Sequence, residues 1–150
     1  MAQCVVDASV VAKWFLEEEF SEEARQLHDD YAADLVEVIA PSLLPCEVLN
    51  ALRFTMVFSS DELEEIAKVL DRFSFTLHPL ESTLSRLTVG LASSAEISVY
   101  DASYAAAQHL NVPLFSADDR LLKAVSRYTK AFHVDEYRTI RDRSLIDSAV

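Results

Sequence analysis

The sequence predicts an α/β protein in which a parallel sheet is covered by helices on both faces. Short apolar runs rich in Val, Ile and Phe alternate with longer stretches of helical period along all 150 residues. One Gly and four Pro are too few for a turn-rich all-β chain and suit long helices. The first run, Cys4-Val5-Val6, leads into Asp7-Ala8-Ser9, and open α/β sheets bind their ligands at the carboxyl ends of strands. Strands separated by helices imply right-handed crossovers, and so parallel pairing.

Val5 and Val6 are β-branched and suit a first strand buried on both faces. Asp7-Ala8-Ser9 turns the chain into a helix over 10–16, and a second helix is expected over 21–31, with Glu22 and Glu23 suited to its first turn. Residues 37–40 read as the second strand. Pro41 then starts a helix to about Met56, since its missing N–H costs nothing in a first turn. Ser59-Ser60-Asp61 caps another helix that ends near Asp71, and 73–77 alternates as a third strand. A helix runs from Pro79 to about Ala92. Asp101 opens an Ala-rich helix ending near Leu110, where Asn111 and Pro113 are stop signals. Residues 114–116 form the fourth strand, 119–128 a helix and 131–134 the fifth strand. The stretch 138–150 reads as a polar, loose tail. No linker or repeat divides the chain, so residues 1–150 are expected to form a single domain.

A chain of this size buries roughly 70% of its unfolded surface, and 51% hydrophobic residues provide a core. No uncharged stretch approaches the roughly 18 apolar residues of a membrane span. With no basic or apolar leader before the first strand, a cytoplasmic protein is expected. Cys4 and Cys46 lack metal or redox spacing and lie in apolar runs, as buried free thiols would. The net charge is −12, and residues 1–100 carry 18 acids against 6 bases while residues 101–150 carry seven of each. Much of this excess, such as 17–19 and 61–65, is a solvated surface. A chain so acidic acts on nucleic acid only with help from a metal ion, a dimer groove or a basic partner.

The chemistry lies in four carboxylates. Asp7 follows the first strand and Asp118 the fourth; each alone suits a helix cap, although Asp119 competes with Asp118 and is assigned to the cap here. Asp101 likewise stands at a helix start. Glu47 is more telling, because a helical wheel sets it within an apolar face formed by Leu43, Leu44, Ala51 and Phe54. A carboxylate there needs a cation, a proton or a cage of hydrogen bonds, and Arg53 points to another face. If the four acids meet about 5 Å apart, each ionised pair repels by roughly 3 kcal/mol at an effective dielectric near 20. Such an all-oxygen cluster suits Mg²⁺ or Mn²⁺ and implies hydrolysis of a phosphate ester.

The motifs also carry a resemblance. Val-Val-Asp-Ala-Ser-Val-Val-Ala-Lys-Trp-Phe at 5–15 and Pro-Cys-Glu-Val-Leu-Asn-Ala-Leu at 45–52 resemble PIN-domain nucleases, in particular the VapC toxins of VapBC pairs. Tyr-Asp-Ala-Ser-Tyr-Ala-Ala-Ala at 100–107 and Leu-Phe-Ser-Ala-Asp-Asp-Arg-Leu at 114–121 continue it over nearly the whole chain. The resemblance implies a three-layer α/β/α sandwich with a five-stranded parallel sheet of order 3-2-1-4-5. It also implies Mg²⁺- or Mn²⁺-dependent ribonuclease activity. It carries the metal-site acids onto Asp7, Glu47, Asp101 and Asp118, with Ser9 and Ser116 as polar neighbours and Asp119 as the alternative to Asp118. The family more often has Thr where this chain has Ser116. As expected partners it implies an RNA substrate and a cognate antitoxin protein, and we add a homodimer.

Two other classes compete. A receiver-like phospho-accepting domain gathers acids at strand ends but wants paired acids after the first strand and a Lys near the fifth, and this chain has neither. A catalytically silent binding module would keep the fold without needing all four acids. His28, His78, His109 and His133 show no metal spacing. Trp14 reads as core, with a partner helix as the alternative, and Lys13, Arg120 and Lys123 flank the acidic motifs, either solvated or touching phosphates.

Overall fold

The computed structural model describes residues 2–107 and 111–148. Five strands form one sheet: β1 (Ala2–Val6), β2 (Val36–Pro41), β3 (Thr76–His78), β4 (Leu114–Ser116) and β5 (Ala131–His133). Their order is β3-β2-β1-β4-β5 and every pairing is parallel, as expected. Val5 pairs with Ile39 on one side and Val6 with Phe115 on the other. The chain therefore leaves β1 toward β2 and returns on its far side as β4, which makes the carboxyl end of β1 the switch point of the sheet.

Eight α-helices are described: α1 (Ala8–Ala12), α2 (Ser21–Ala32), α3 (Leu44–Phe54), α4 (Ser60–Arg72), α5 (Ser82–Ala95), α6 (Val99–Ala106), α7 (Asp119–Val125) and α8 (Tyr137–Ser148). They cover the sheet in an α/β sandwich, with α1 against α3, α3 against α4, α5 against α6 and α2 against α8. The centre is dry: Val5, Val6, Val38, Ile39, Leu44, Leu52 and Leu114 are all fully or almost fully buried. Trp14 belongs to this core. Its indole N–H donates to the Ala24 carbonyl at 2.8 Å, and its ring meets His28, Phe73 and Phe75 edge-on.

Several expectations fail for local reasons. Pro41 ends β2 and opposite it lies His78; the pairing with β1 has already stopped at Ile39, so the missing donor falls past it. The proline of the helix start is Pro45, in the first turn of α3. Ser59 caps α4 with a full capping box to Glu62, as read. The third strand is shifted: Phe73 and Phe75 join the aromatic cluster around Trp14 and leave pairing to Thr76–His78. Helix α6 starts at Val99 with Ser98 as its cap, so Asp101 lies inside the first turn. Its expected end near Leu110, and the reading of His109, lie outside the described residues. Cys46 is exposed, whereas Cys4 is buried and its thiol is pushed up to about 12 by desolvation.

The expected loose tail is instead helix α8. The buried Tyr137 hydroxyl donates to Asp30 Oδ2 at 2.7 Å, and Arg141 reaches both oxygens of Asp30 at 2.9 and 3.1 Å. A polar sequence thus docks through the Tyr137 ring, which packs against Phe115, and through one buried carboxylate on α2. Because the Arg141 side chain keeps 33% of its exposure, its ion pair is screened and weak, under about 1 kcal/mol. Losing the phenol leaves a buried acceptor short of a partner. Tyr137→Phe should therefore cost about 1–2 kcal/mol in urea unfolding, and Arg141→Met less. A greater loss in Arg141→Met would show that α8 is held from its surface.

Candidate functional site

Asp7 closes β1 and caps α1, its Oδ1 accepting the Val10 amide at 3.3 Å. The same oxygen accepts the Ser9 hydroxyl and Oδ2 accepts the Ser116 hydroxyl, both at 2.5 Å. Ser116 ends β4, so the β1–β4 pairing brings it to Asp7 across 109 positions of sequence. Ser9 Oγ also accepts the Ala117 amide at 2.8 Å, and Ser116 Oγ the Asp118 amide at 3.0 Å. The two hydroxyls thus fasten the turn after β4 to the turn after β1.

Asp7 is buried, and desolvation pushes its carboxyl up to about 6. The Ser116, Ser9 and Val10 bonds work against that rise, and the charge of Asp118 adds to it. Asp118 is the N-cap of α7, its Oδ1 accepting the Arg120 and Leu121 amides at 3.0 and 3.2 Å. The cap is therefore Asp118 and not, as the sequence suggests, Asp119, which is the exposed first residue of the helix. Glu47 is half-buried rather than in the core. Phe54, expected beside it on an apolar face, is 70% exposed, so this face of α3 is not buried along its whole length. Glu47 Oε2 accepts the Tyr104 hydroxyl at 2.6 Å. That phenol is shifted well above its ordinary range, by burial first, then by its bond to Glu47 and the charges of Glu47, Asp7 and Asp101.

Tyr104 therefore feels three of the four predicted acids, and Asp7 feels the fourth. Each acid stands at a helix N-cap or in a first turn, where the helix dipole favours an anion. Among the described residues no Lys or Arg forms an ion pair with any of them. Reasoning from sequence missed Tyr104, although it lies one helical turn after Asp101 and so on the same face. A cleft of about 500 Å³ opens alongside, lined by Ser9, Lys13, Thr55, Asp118, Asp119 and Arg120 among others.

The donor set fits a hard divalent cation: all oxygen, anionic and without a paired base. Among the described residues no three His, Cys, Asp or Glu side chains are grouped closely enough to form a finished cage. Mg²⁺ does not need one, since it is commonly held by one or two carboxylates with water completing its shell.

Fold and acids together place the chain among open α/β proteins whose acidic site lies at the carboxyl edge of a parallel sheet. The PIN domain family model matches residues 4–127, and the chain belongs to the PIN-domain family, whose members are generally nucleases. Among solved structures, PAE2754 from Pyrobaculum aerophilum is 23% identical with a TM-score of 0.59, covering 95% of this chain and 96% of that one. A toxin–antitoxin complex from Klebsiella pneumoniae is 13% identical with a TM-score of 0.60, covering 87% and 97%. VapBC-5 from Mycobacterium tuberculosis, of the VapBC toxin–antitoxin family, is 16% identical with a TM-score of 0.50, covering 89% and 98%. At these identities the likeness is one of fold. No curated protein matches the chain. No helix among the described residues is long and apolar enough to cross a membrane.

The raised carboxyl of Asp7 has a thermodynamic sign. Its folded-state value of about 6 lies above the ordinary 3.8, so the native state favours the proton. The resulting stability is fully present below pH 3.8 and is lost as pH rises through about 6. The whole interval corresponds to roughly 3 kcal/mol. Urea unfolding in EDTA across pH 4–8 should show that Asp7→Asn removes this loss. At pH 7.5 the metal-free variant should be the more stable chain, by about 1–3 kcal/mol. A less stable variant there would mean that the ionised carboxylate is well solvated or compensated.

Proposed function

We propose that the protein is a divalent-metal-dependent endoribonuclease and the toxin of a toxin–antitoxin pair. The observation that carries this is the buried Asp7 carboxylate, which feels the charge of Asp118, beside a Tyr104 phenol that bonds Glu47 and feels Asp7 and Asp101, with no Lys or Arg paired to any of the four among the described residues. On this reading Asp7, Glu47, Asp101 and Asp118 hold Mg²⁺ or Mn²⁺. When bound, the ion supplies a water of lowered pKa and positive charge for the phosphodiester. Ser9 and Ser116 orient Asp7, and Tyr104 fixes one oxygen of Glu47 so that the other faces the site. Asp118 lends one oxygen to the α7 cap. Asp119, exposed beside it, remains the alternative ligand.

The partner reading rests on a groove of about 360 Å³. Its floor is Phe15, Phe58 and Ile66, and its rim is Asp61, Glu62 and Glu65. An apolar floor with an acidic rim suits a basic amphipathic segment of an antitoxin. A toxin–antitoxin complex and a member of the VapBC toxin–antitoxin family among the structural neighbours support such a partner. On the same reading the toxin is cytoplasmic and homodimeric. The second reading is a catalytically silent binding module, favoured by the absence of a finished three-ligand cage among the described residues.

Cleavage of structured RNA with Mg²⁺ or Mn²⁺, against an EDTA control, separates the two. Asp101→Asn and Glu47→Gln should each lower the rate by ~10²–10³, with circular dichroism unchanged, and the double variant should be little worse. Asp119→Asn should cost much less than Asp118→Asn. Full activity in folded Asp101→Asn, or equal cleavage in EDTA, would overturn the nuclease assignment.

Metal should also raise the melting temperature. At one hundred times its dissociation constant it adds about 2.7 kcal/mol. An identical rise in Asp7→Asn would place the ion elsewhere.

A further inference from the structure

We propose that Lys13 and Arg120 hold a backbone phosphate of the RNA in the cleft beside the acids, with Glu18 keeping Lys13 in position; this rests on the ribonuclease reading. Lys13 is 8% exposed, unusual for a residue type that is almost never buried unless paired. Its ammonium meets Glu18 at 2.8 Å, and the Glu18 side chain is 44% exposed, so the pair is held at the mouth of the cleft. That single bond uses one of three N–H donors and leaves the others for an anion. Arg120 lines the same cleft from α7 and forms no ion pair among the described residues.

Position gives these cations their meaning. Asp7 caps the start of α1 and Lys13 caps its end, six residues apart, or about 9 Å along the axis. Ser9, which bonds Asp7, and Asp118 also line the cleft, so it borders the acids at two points. A strand with its reacting phosphate at the acids can lay a neighbouring phosphate between Lys13 and Arg120. In a chain of net charge −12 such local bases are needed, because the overall field repels RNA. Lys13 and Arg120 are positioning residues on this account.

A purely structural ion pair stapling the turn after α1 would behave differently. The test is the fluorescence anisotropy of a labelled single-stranded RNA with the cleavage-impaired Asp101→Asn chain in Mg²⁺, across a salt series. Adding Lys13→Met should weaken binding about tenfold and reduce the slope of log affinity against log salt by about 0.7. Lys13→Arg should restore both, Glu18→Gln should tighten binding, and Lys68→Met, removing an exposed α4 pair with Glu65, should change neither. An unchanged salt slope in folded Lys13→Met overturns the subsite. Should that variant not fold, the same slope measured in Arg120→Met decides. If the Asp101→Asn parent binds no RNA at all, the ribonuclease reading fails with it; if the parent binds and the slopes do not move, only the subsite fails.

Discussion

The structure depends on an ionisable group placed where water cannot reach it. Asp7 lies at the end of the central strand, and its two oxygens are met by hydroxyls from the turn after β1 and from the end of β4. Those bonds form only if β4 pairs beside β1 in the observed register, Val6 opposite Phe115. The order β3-β2-β1-β4-β5 therefore shapes the site as well as the core. Hydroxyls soften the desolvation of the carboxylate without neutralising it, and Asp118 worsens it. A core that tolerates this strain is consistent with a site that gives up stability for function, as preorganised sites often do.

Helix capping and site building are the same act in this fold. The parallel crossover brings each chain segment from a strand end into a helix start, so a carboxylate at that corner can cap the helix and still face the sheet edge. Asp7 and Asp118 do both, with one oxygen of Asp118 on two α7 amides. Reading a cap as evidence against a site is therefore a false choice in open α/β proteins. The positive ends of four helices also offset part of the mutual repulsion among the acids, each contribution being about 0.3–1 kcal/mol.

The sequence made the architecture legible because period and composition are local signals. Leu114–Ser116 matches the sequence reading in its bounds, and the Ser59-Ser60-Asp61 run marks the start of α4. What it hid was set by tertiary contacts. Pro41 and Pro45 both satisfy a helix-start rule, and only the β2–β3 pairing assigns the first to a strand. Helix α8 carries no apolar stripe to betray it, and its anchors are tertiary: Tyr137 packs against Phe115 and bonds Asp30, more than a hundred residues away. The wheel places Glu47 on an apolar face, but the 70% exposure of Phe54 shows that this face is not buried along its whole length. The four candidate acids are legible in the sequence; the Tyr104 phenol, which bonds Glu47 and feels the charges of Asp7 and Asp101, is not.

Charge is partitioned in a way that the total of −12 conceals. At physiological salt the Debye length is about 8 Å, so an acid well beyond that distance hardly acts on a phosphate in the cleft. The acid surplus lies in residues 1–100, and part of it rims the apolar groove as Asp61, Glu62 and Glu65. Residues 101–150 are balanced, and they supply α7 with Arg120 and Lys123. The cleft and the groove therefore present different local fields, the first mixed in sign and the second uniformly negative. On the proposed reading, a basic partner segment is drawn to the groove while RNA is repelled from it. On the same reading substrate is held where Lys13 and Arg120 line the cleft, so one acidic chain can take a basic partner on its negative groove and its substrate at a cleft of mixed sign.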